Sequence, residues 1–308
     1  MRSPIRVLIT LLLVVGVPSI SFADGEADAQ YKQGLAFKQQ GKVDDAIAAF
    51  EKAVAANPKH GMAWASLGHL YKQKQADPSK IVSAYENATA VITKDKTLWG
   101  NLGMAYYRNK QVDKALEALT TACKLDPKDA EIRGNLGTIR RQKGDVAGAI
   151  VDLEMATKLK PDDPNYQNNL GVAYRVAKRD DDAIKAFKKA IELSPNDPGF
   201  HFNLAVAYRR KRADNPELIN EAIAAYEKAT ALDPTNAEGW FDLGFMYKDD
   251  HQNDKAIFAF CKYLEINKGK DAQGATRVDD ETKALGGSCG GKKPAGKTPP
   301  AKTPPKKK

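Results

Sequence analysis

Residues that carry chemistry are sparse in this chain, whose 308 residues include four histidines, three cysteines and three tryptophans. His60, His69, His201 and His251 are dispersed, and no two have the spacing from which imidazole metal sites are built. A phosphate-cradling glycine loop and a nucleophile elbow are both missing, which removes the sequence signatures of nucleotide hydrolysis and acyl transfer. No cofactor is implied and no enzyme is expected. Long apolar runs are also lacking. The longest, Val7 to Val17, is about eleven residues, against the twenty or so that a membrane-crossing helix needs.

That short run follows Arg2 and Arg6 and precedes Ser21-Phe22-Ala23, the small-residue pattern at which a signal peptidase cuts. Residues 1–23 are expected to be an export signal cleaved after Ala23. The mature protein is then exported, in the periplasm of a bacterial envelope, with no transmembrane segment.

What the chain has in abundance is repetition. Gly34, Gly68, Gly103, Gly137, Gly171 and Gly244 fall at spacings of 34, 35, 34, 34 and 73, with Ala205 in the slot between the last two. Around them the blocks read Trp64-x-x-Leu67-Gly68-x-x-Tyr71, Trp99-x-x-Leu102-Gly103-x-x-Tyr106 and Trp240-x-x-Leu243-Gly244-x-x-Tyr247. Some twelve residues further on come Ala46-x-x-x-Phe50, Ala115-x-x-x-Leu119, Ala149-x-x-x-Leu153, Ala183-x-x-x-Phe187 and Ala256-x-x-x-Phe260. Each block is therefore a pair of amphipathic helices. Pro58, Pro127, Pro161, Pro195 and Pro234 close most units, because proline cannot donate the N–H that a continuing helix requires. In the turns Gly41-Lys42-Val43-Asp44 and Gly144-Asp145, the acidic residue is expected to cap the second helix.

On these residues the chain resembles the tetratricopeptide repeat family. The resemblance covers 24–270 in seven repeats: 27–60, 61–95, 96–129, 130–163, 164–197, 198–236 and 237–270. It implies an all-α, right-handed α-solenoid of seven helix pairs, since units that cannot bury their own apolar faces must stack. Thr93 stands where proline is usual and one residue is inserted near 76–80, so the second unit's turn is expected to be distorted. Five extra residues within 210–220 imply a longer loop in the sixth. Residues 271–290 are a capping segment, with one helix over 271–285.

Residues 291–308 form a lysine- and proline-rich tail expected to stay disordered. Of 48 basic residues, 2 precede Asp24 and 9 follow Lys270; 4 of the 39 acidic residues follow Lys270. The repeats are thus nearly neutral, and the tail suits either contact with an anionic envelope surface or plain solubility. Nucleic acid is not an expected partner.

The resemblance implies that the first helix of each pair lines a concave groove. One row there is amide: Asn101, Asn135, Asn169 and Asn203, each 34 residues from the last, with Ser66 and Asp242 at the row's ends. It is similar to the asparagine ladder of the repeat domain of O-linked N-acetylglucosamine transferases, which grips peptide backbones. An amide can donate to and accept from an extended main chain; the same residues could instead bond neighbouring repeats. A second row is basic: Lys38, Lys72, Arg141, Arg175, Arg209 and Lys248. It fits an acidic ligand, or equally the negative ends of its own helices. Arg210, Lys211 and Arg212 extend it. Of the cysteines, Cys123 has a buried slot, while Cys261 and Cys289 are expected to pair in an oxidising compartment. The function that follows is a non-enzymatic envelope adaptor holding a peptide or partner protein, or alternatively a spacer docked through its tail.

Overall fold

A computed structural model describes residues 22–289. Residues 1–21 of the expected signal and the whole tail from 291 lie outside the described residues. Among those described, the secondary structure is helical throughout, with no strand. The helices pair as α1 (Phe22–Gln39) with α2 (Val43–Ala56), α3 (Gly61–Gln73) with α4 (Pro78–Val91), and α5 (Lys96–Arg108) with α6 (Val112–Leu125). They continue as α7 (Ala130–Gln142) with α8 (Val146–Leu159), α9 (Pro164–Val176) with α10 (Asp180–Leu193), α11 (Pro198–Lys211) with α12 (Ile219–Leu232), and α13 (Ala237–Asp249) with α14 (Asn253–Asn267). A last helix, α15 (Ala272–Ala284), follows. This is the all-α solenoid class. The sixth pair's longer connection contains a short 3-10 turn, Pro216–Leu218. The chain divides into two units after Ile139, within α7.

Within a pair, the repeated glycine sets the fit. A Cβ on Gly34, Gly68, Gly103, Gly171 or Gly244 would lie 2.4–2.8 Å from Phe50, Tyr85, Leu119, Phe187 or Phe260 respectively, closer than carbon atoms approach. These side chains from the second helices are fully or almost fully buried. They anchor the cores: Phe50 with Leu67 and Leu70, and Tyr85 with Leu102, Leu119 and Leu136, in the first unit; Phe187, Tyr226, Leu243 and Phe260 in the second.

Two kinds of polar lacing were not legible beforehand. The tryptophan slot ties down the preceding turn: Trp64 donates Nε1–H to the Pro58 carbonyl at 2.9 Å, Trp99 to Thr93 at 2.9 Å, and Trp240 to Pro234 at 3.0 Å. Arg133 reaches the Pro127 carbonyl in the same way at 3.0 Å. His201, buried in that slot, meets the Pro195 carbonyl at 2.9 Å through Nε2, which must carry the proton because a carbonyl only accepts. At Thr93 the tryptophan contact is kept, since a threonine carbonyl accepts as well as a proline one, while Ile92 before it has φ -103°, against -127 to -140° at the equivalent residues of the other closing turns.

The second lacing joins consecutive repeats. Tyr71, Tyr106 and Tyr174 donate to Glu51, Glu86 and Glu154 at 2.7, 2.6 and 2.7 Å, and Tyr247 donates to Glu227. Caps differ from expectation in one respect. Asp145 caps α8, accepting from Gly148 N–H at 2.9 Å, but Asp44 lies inside the first turn of α2 and pairs with Lys74. Most capping carboxylates stand on first helices: Asp95, Asp163 and Asp197 accept from N–H groups of α5, α9 and α11.

Cys261 occupies the slot of those latch glutamates. It forms a disulfide with Cys289, with Cα atoms 5.2 Å apart, and so closes the segment bearing α15 onto the last repeat. Helix α15 buries Val278 and Thr282 completely. Arg277 lies 4.3 Å from the Phe245 ring centroid, and Asn267 brackets Asp271 with two hydrogen bonds of 2.8 and 2.9 Å. Cys123 is buried in α6.

Replacing Gly171 by alanine should destabilise the fold by about 2 kcal/mol, because overpacking against Phe187 exceeds the roughly 1 kcal/mol of helix propensity gained; urea unfolding measures it. Cys289→Ser should remove a loop constraint of about 3 to 4 kcal/mol in the chain-entropy model. Limited proteolysis should then cut within α15 while sparing the other helices.

Candidate functional site

The amide and cation rows lie on the first helices, and the structure shows how far each side chain is already engaged. Asn101, Asn135, Asn169 and Asn203 are all half-buried. Asn101 accepts from Lys72 Nζ at 3.2 Å, and Asn203 donates to the Asn168 Oδ1 at 2.9 Å. Those two amides therefore bond neighbouring repeats. Asn135 and Asn169 make no side-chain hydrogen bond among the described residues, so both keep two donors and an acceptor for an incoming group.

The Lys72 contact reveals a register rule: the cation of one repeat reaches the amide slot of the next. Arg209 obeys it with Asp242, the residue that takes the asparagine slot in the last repeat, and Lys248 obeys it with Glu281 on α15. Asp242 is buried, and its second oxygen accepts from the Tyr226 hydroxyl at 2.9 Å. Lys72, Arg209 and Lys248 therefore each make a contact to the next repeat or to α15. Two of the added cations are also paired: Lys211 with Asp181, and Arg212 with Asp249 at 2.6 Å.

Arg175 differs. Its Nε is buried without a hydrogen-bond partner. Burial first, and then the charges of Arg210, Arg141 and Arg209, push its guanidinium below the ordinary arginine range. Arg210 donates to the Arg175 carbonyl at 2.9 Å and lies 3.3 Å from Asp180. A guanidinium stays charged in any case, so the shift registers a buried charge first and the like charges beside it second. That is an electrostatic cost which a bound anion would offset. Among the described residues no cluster of histidine, cysteine and acidic side chains could hold a metal, and no helix is long and apolar enough to cross a membrane.

Comparison with known proteins agrees with this architecture. A family model described as the cilia and flagella-associated protein 70 C-terminal domain, a tetratricopeptide-repeat model, matches residues 17–237. A single tetratricopeptide repeat model matches 225–258. The chain belongs to the tetratricopeptide repeat family. No curated protein sequence matches it. Among solved structures, a tetratricopeptide repeat protein from Parabacteroides merdae is 17% identical, covering 82% of this chain and 99% of its own, with a TM-score of 0.60. YrrB, described as a TPR protein with an unusual peptide-binding site, is 19% identical over 65% of this chain and 99% of its own, at 0.52. The Cut9–Hcn1 hetero-tetramer of APC/C is 26% identical over 70% of this chain and 41% of its own, at 0.51.

The Tyr226 phenol is held well above its ordinary range, chiefly by burial and then by the Asp242 charge. A raised folded pKa means that the stabilising protonated form is fully present below about pH 10, the unfolded value, and is lost as pH rises further. Tyr226→Phe should cost about 1 kcal/mol at neutral pH. The stability difference from wild type should shrink above pH 10, as followed by chemical unfolding across that range.

Proposed function

We propose that the protein is a non-enzymatic adaptor of the cell envelope, exported to the periplasm, which holds an extended peptide or a segment of a partner protein against its first-helix face. The observation that carries this reading is a half-buried amide left unengaged among the described residues in each unit, Asn135 in the first and Asn169 in the second. An amide that bonds nothing in its own fold is free to meet the N–H and C=O groups of an extended chain, whatever that chain's sequence. The crowded guanidinium of Arg175 adds a preference for an acidic group on the ligand. The peptide-binding site of YrrB and the hetero-tetramer containing Cut9 lend the adaptor reading support from the same fold. The Cys261–Cys289 bridge suits an oxidising compartment, as does the signal-like start of the chain.

The discriminating variant is Asn135→Ala combined with Asn169→Ala. Neither side chain makes a hydrogen bond among the described residues, so thermal unfolding should stay unchanged. Affinity for a partner purified from envelope extract should fall roughly thirtyfold, from two lost hydrogen bonds of about 1 kcal/mol each. Wild-type affinity in a correctly folded double variant would sink the amide mechanism.

A further inference from the structure

Two residues before the large apolar anchor of each second helix lies a position that is exposed in every repeat. It holds Ala48, Ser83, Glu117, Val151, Lys185 and Ala224 in the first six pairs and Phe258 in the seventh. The Phe258 side chain is 54% exposed, which forgoes the burial that makes an aromatic ring favourable in a fold. Nor does it stand singly, as scattered surface apolar residues do. Its ring meets the half-buried Trp240 edge-on, with centroids 5.9 Å apart and planes at 79°. Trp240 is itself held by its hydrogen bond to the Pro234 carbonyl, so the two rings form one aromatic step on the exposed side of the last pair.

The disulfide brings the end of the chain to this step. Gly287 passes Ile257 so closely that a Cβ would lie 2.7 Å from that side chain, and Cys289 is then bonded to Cys261. Cys261 is three residues from Phe258 on α14, and side chains at that spacing are neighbours, about 5–6 Å apart. Residues 290–308 therefore start beside the two rings. They lie outside the described residues, but their composition fits the step: Pro294 is followed by two copies of Lys-Thr-Pro-Pro, at 297–300 and 302–305. Proline-rich segments favour an extended helix with little entropy left to lose, and aromatic surfaces take up their rings. The stretch from Cys289 to Pro299 can span up to about 33 Å, so reach is not limiting. Charge agrees. Asp254, four residues before Phe258, is exposed and has no partner among the described residues, whereas Lys255 lies over the Tyr247 ring and Lys262 pairs with Glu265.

We propose that the Trp240–Phe258 step is the docking site of the chain's own lysine- and proline-rich tail, with a Thr-Pro-Pro segment packed on the two rings and a neighbouring lysine set against Asp254. The occupant is the tail of the same molecule, because the Cys261–Cys289 bond delivers it to the site. A segment tethered so closely acts at an effective concentration on the order of millimolar, so even a weak contact keeps it docked. The disulfide then has a second role beside closing α15 onto the last repeat: it sets where the tail begins.

The test follows the indole N–H resonance of Trp240, assigned from its loss in Trp240→Phe. Four proteins are compared: the full chain, the chain ending at Gly290, and each of these carrying Phe258→Ser. Shortening should move the Trp240 resonance when Phe258 is present and leave it in place in the Phe258→Ser background. Replacing Pro299, Pro300, Pro304 and Pro305 together by alanine in the full chain should reproduce the resonance of the shortened chain. A synthetic peptide of residues 291–308 should return the shortened chain's resonance to its full-length position, with a dissociation constant of about 1 mM or tighter.

A Trp240 resonance identical in the full and shortened chains would overturn the docking, as would a peptide dissociation constant weaker than about 10 mM. A shift that survives Phe258→Ser or the proline replacement would overturn the contact assigned here. A shift that fades as the full chain is diluted would put the tail on a second copy and overturn the intramolecular assignment. None of these measurements involves Asn135 or Asn169, so this site stands or falls apart from the adaptor reading.

Discussion

In five of the helix pairs the packing depends on the close approach of one backbone to one side chain. The first helix presents a glycine to Phe50, Tyr85, Leu119, Phe187 or Phe260 of the second, at a distance that leaves no room for a methyl group. That contact fixes the separation of the two helices and brings the pair's other apolar residues into one core. It also fixes which residues face outward on the first helix, because the positions before and after the glycine have no rotational freedom once it is docked. The amide two residues before the glycine and the cation four residues after it inherit their placement from this packing. Function, in this fold, begins as a packing constraint.

That dependence explains what the sequence could reveal. The glycine, the large apolar residue opposite it and the closing proline recur because each repeat must satisfy the same sterics, so the period and the pairing of helices were legible. The pairing of Cys261 with Cys289 could be suggested because Cys261 takes a slot that is polar in the other repeats, held by Glu51, Glu86, Thr120, Glu154, Lys188 and Glu227, and so faces solvent. Partnerships between repeats were not legible in the same way. Glu51, Glu86, Glu154 and Glu227 look like solvated charges in sequence, yet each accepts from a tyrosine twenty residues later. Asp44 looked like a cap and is not one, because a helix can begin a residue or two earlier than its first acid suggests. Nor could the amide row be sorted: identical asparagines at identical spacing are engaged at 101 and 203 and open at 135 and 169, according to their neighbours.

The polar register between first helices behaves as a set of variations on one arrangement. A cation, an amide or acid, and a residue from the second helix meet at equivalent positions. Where all three complement one another, as with Arg209, Asp242 and Tyr226, the register serves cohesion. Where an amide stands in place of the acid, as at Asn101, the Tyr85 hydroxyl is left buried without a hydrogen-bond partner among the described residues, which costs free energy.

The end of the chain shows the opposite tendency. Helix α15 offers Glu281 to Lys248 and covers Phe241 and Phe245 with Arg277, while sulfur replaces the carboxylate that would have received the next tyrosine. The berth for another unit is occupied and its docking point is chemically altered. The face on which a further repeat would stack is thus covered by the chain's own α15, and the Cys261–Cys289 bond ties that cover to the last repeat.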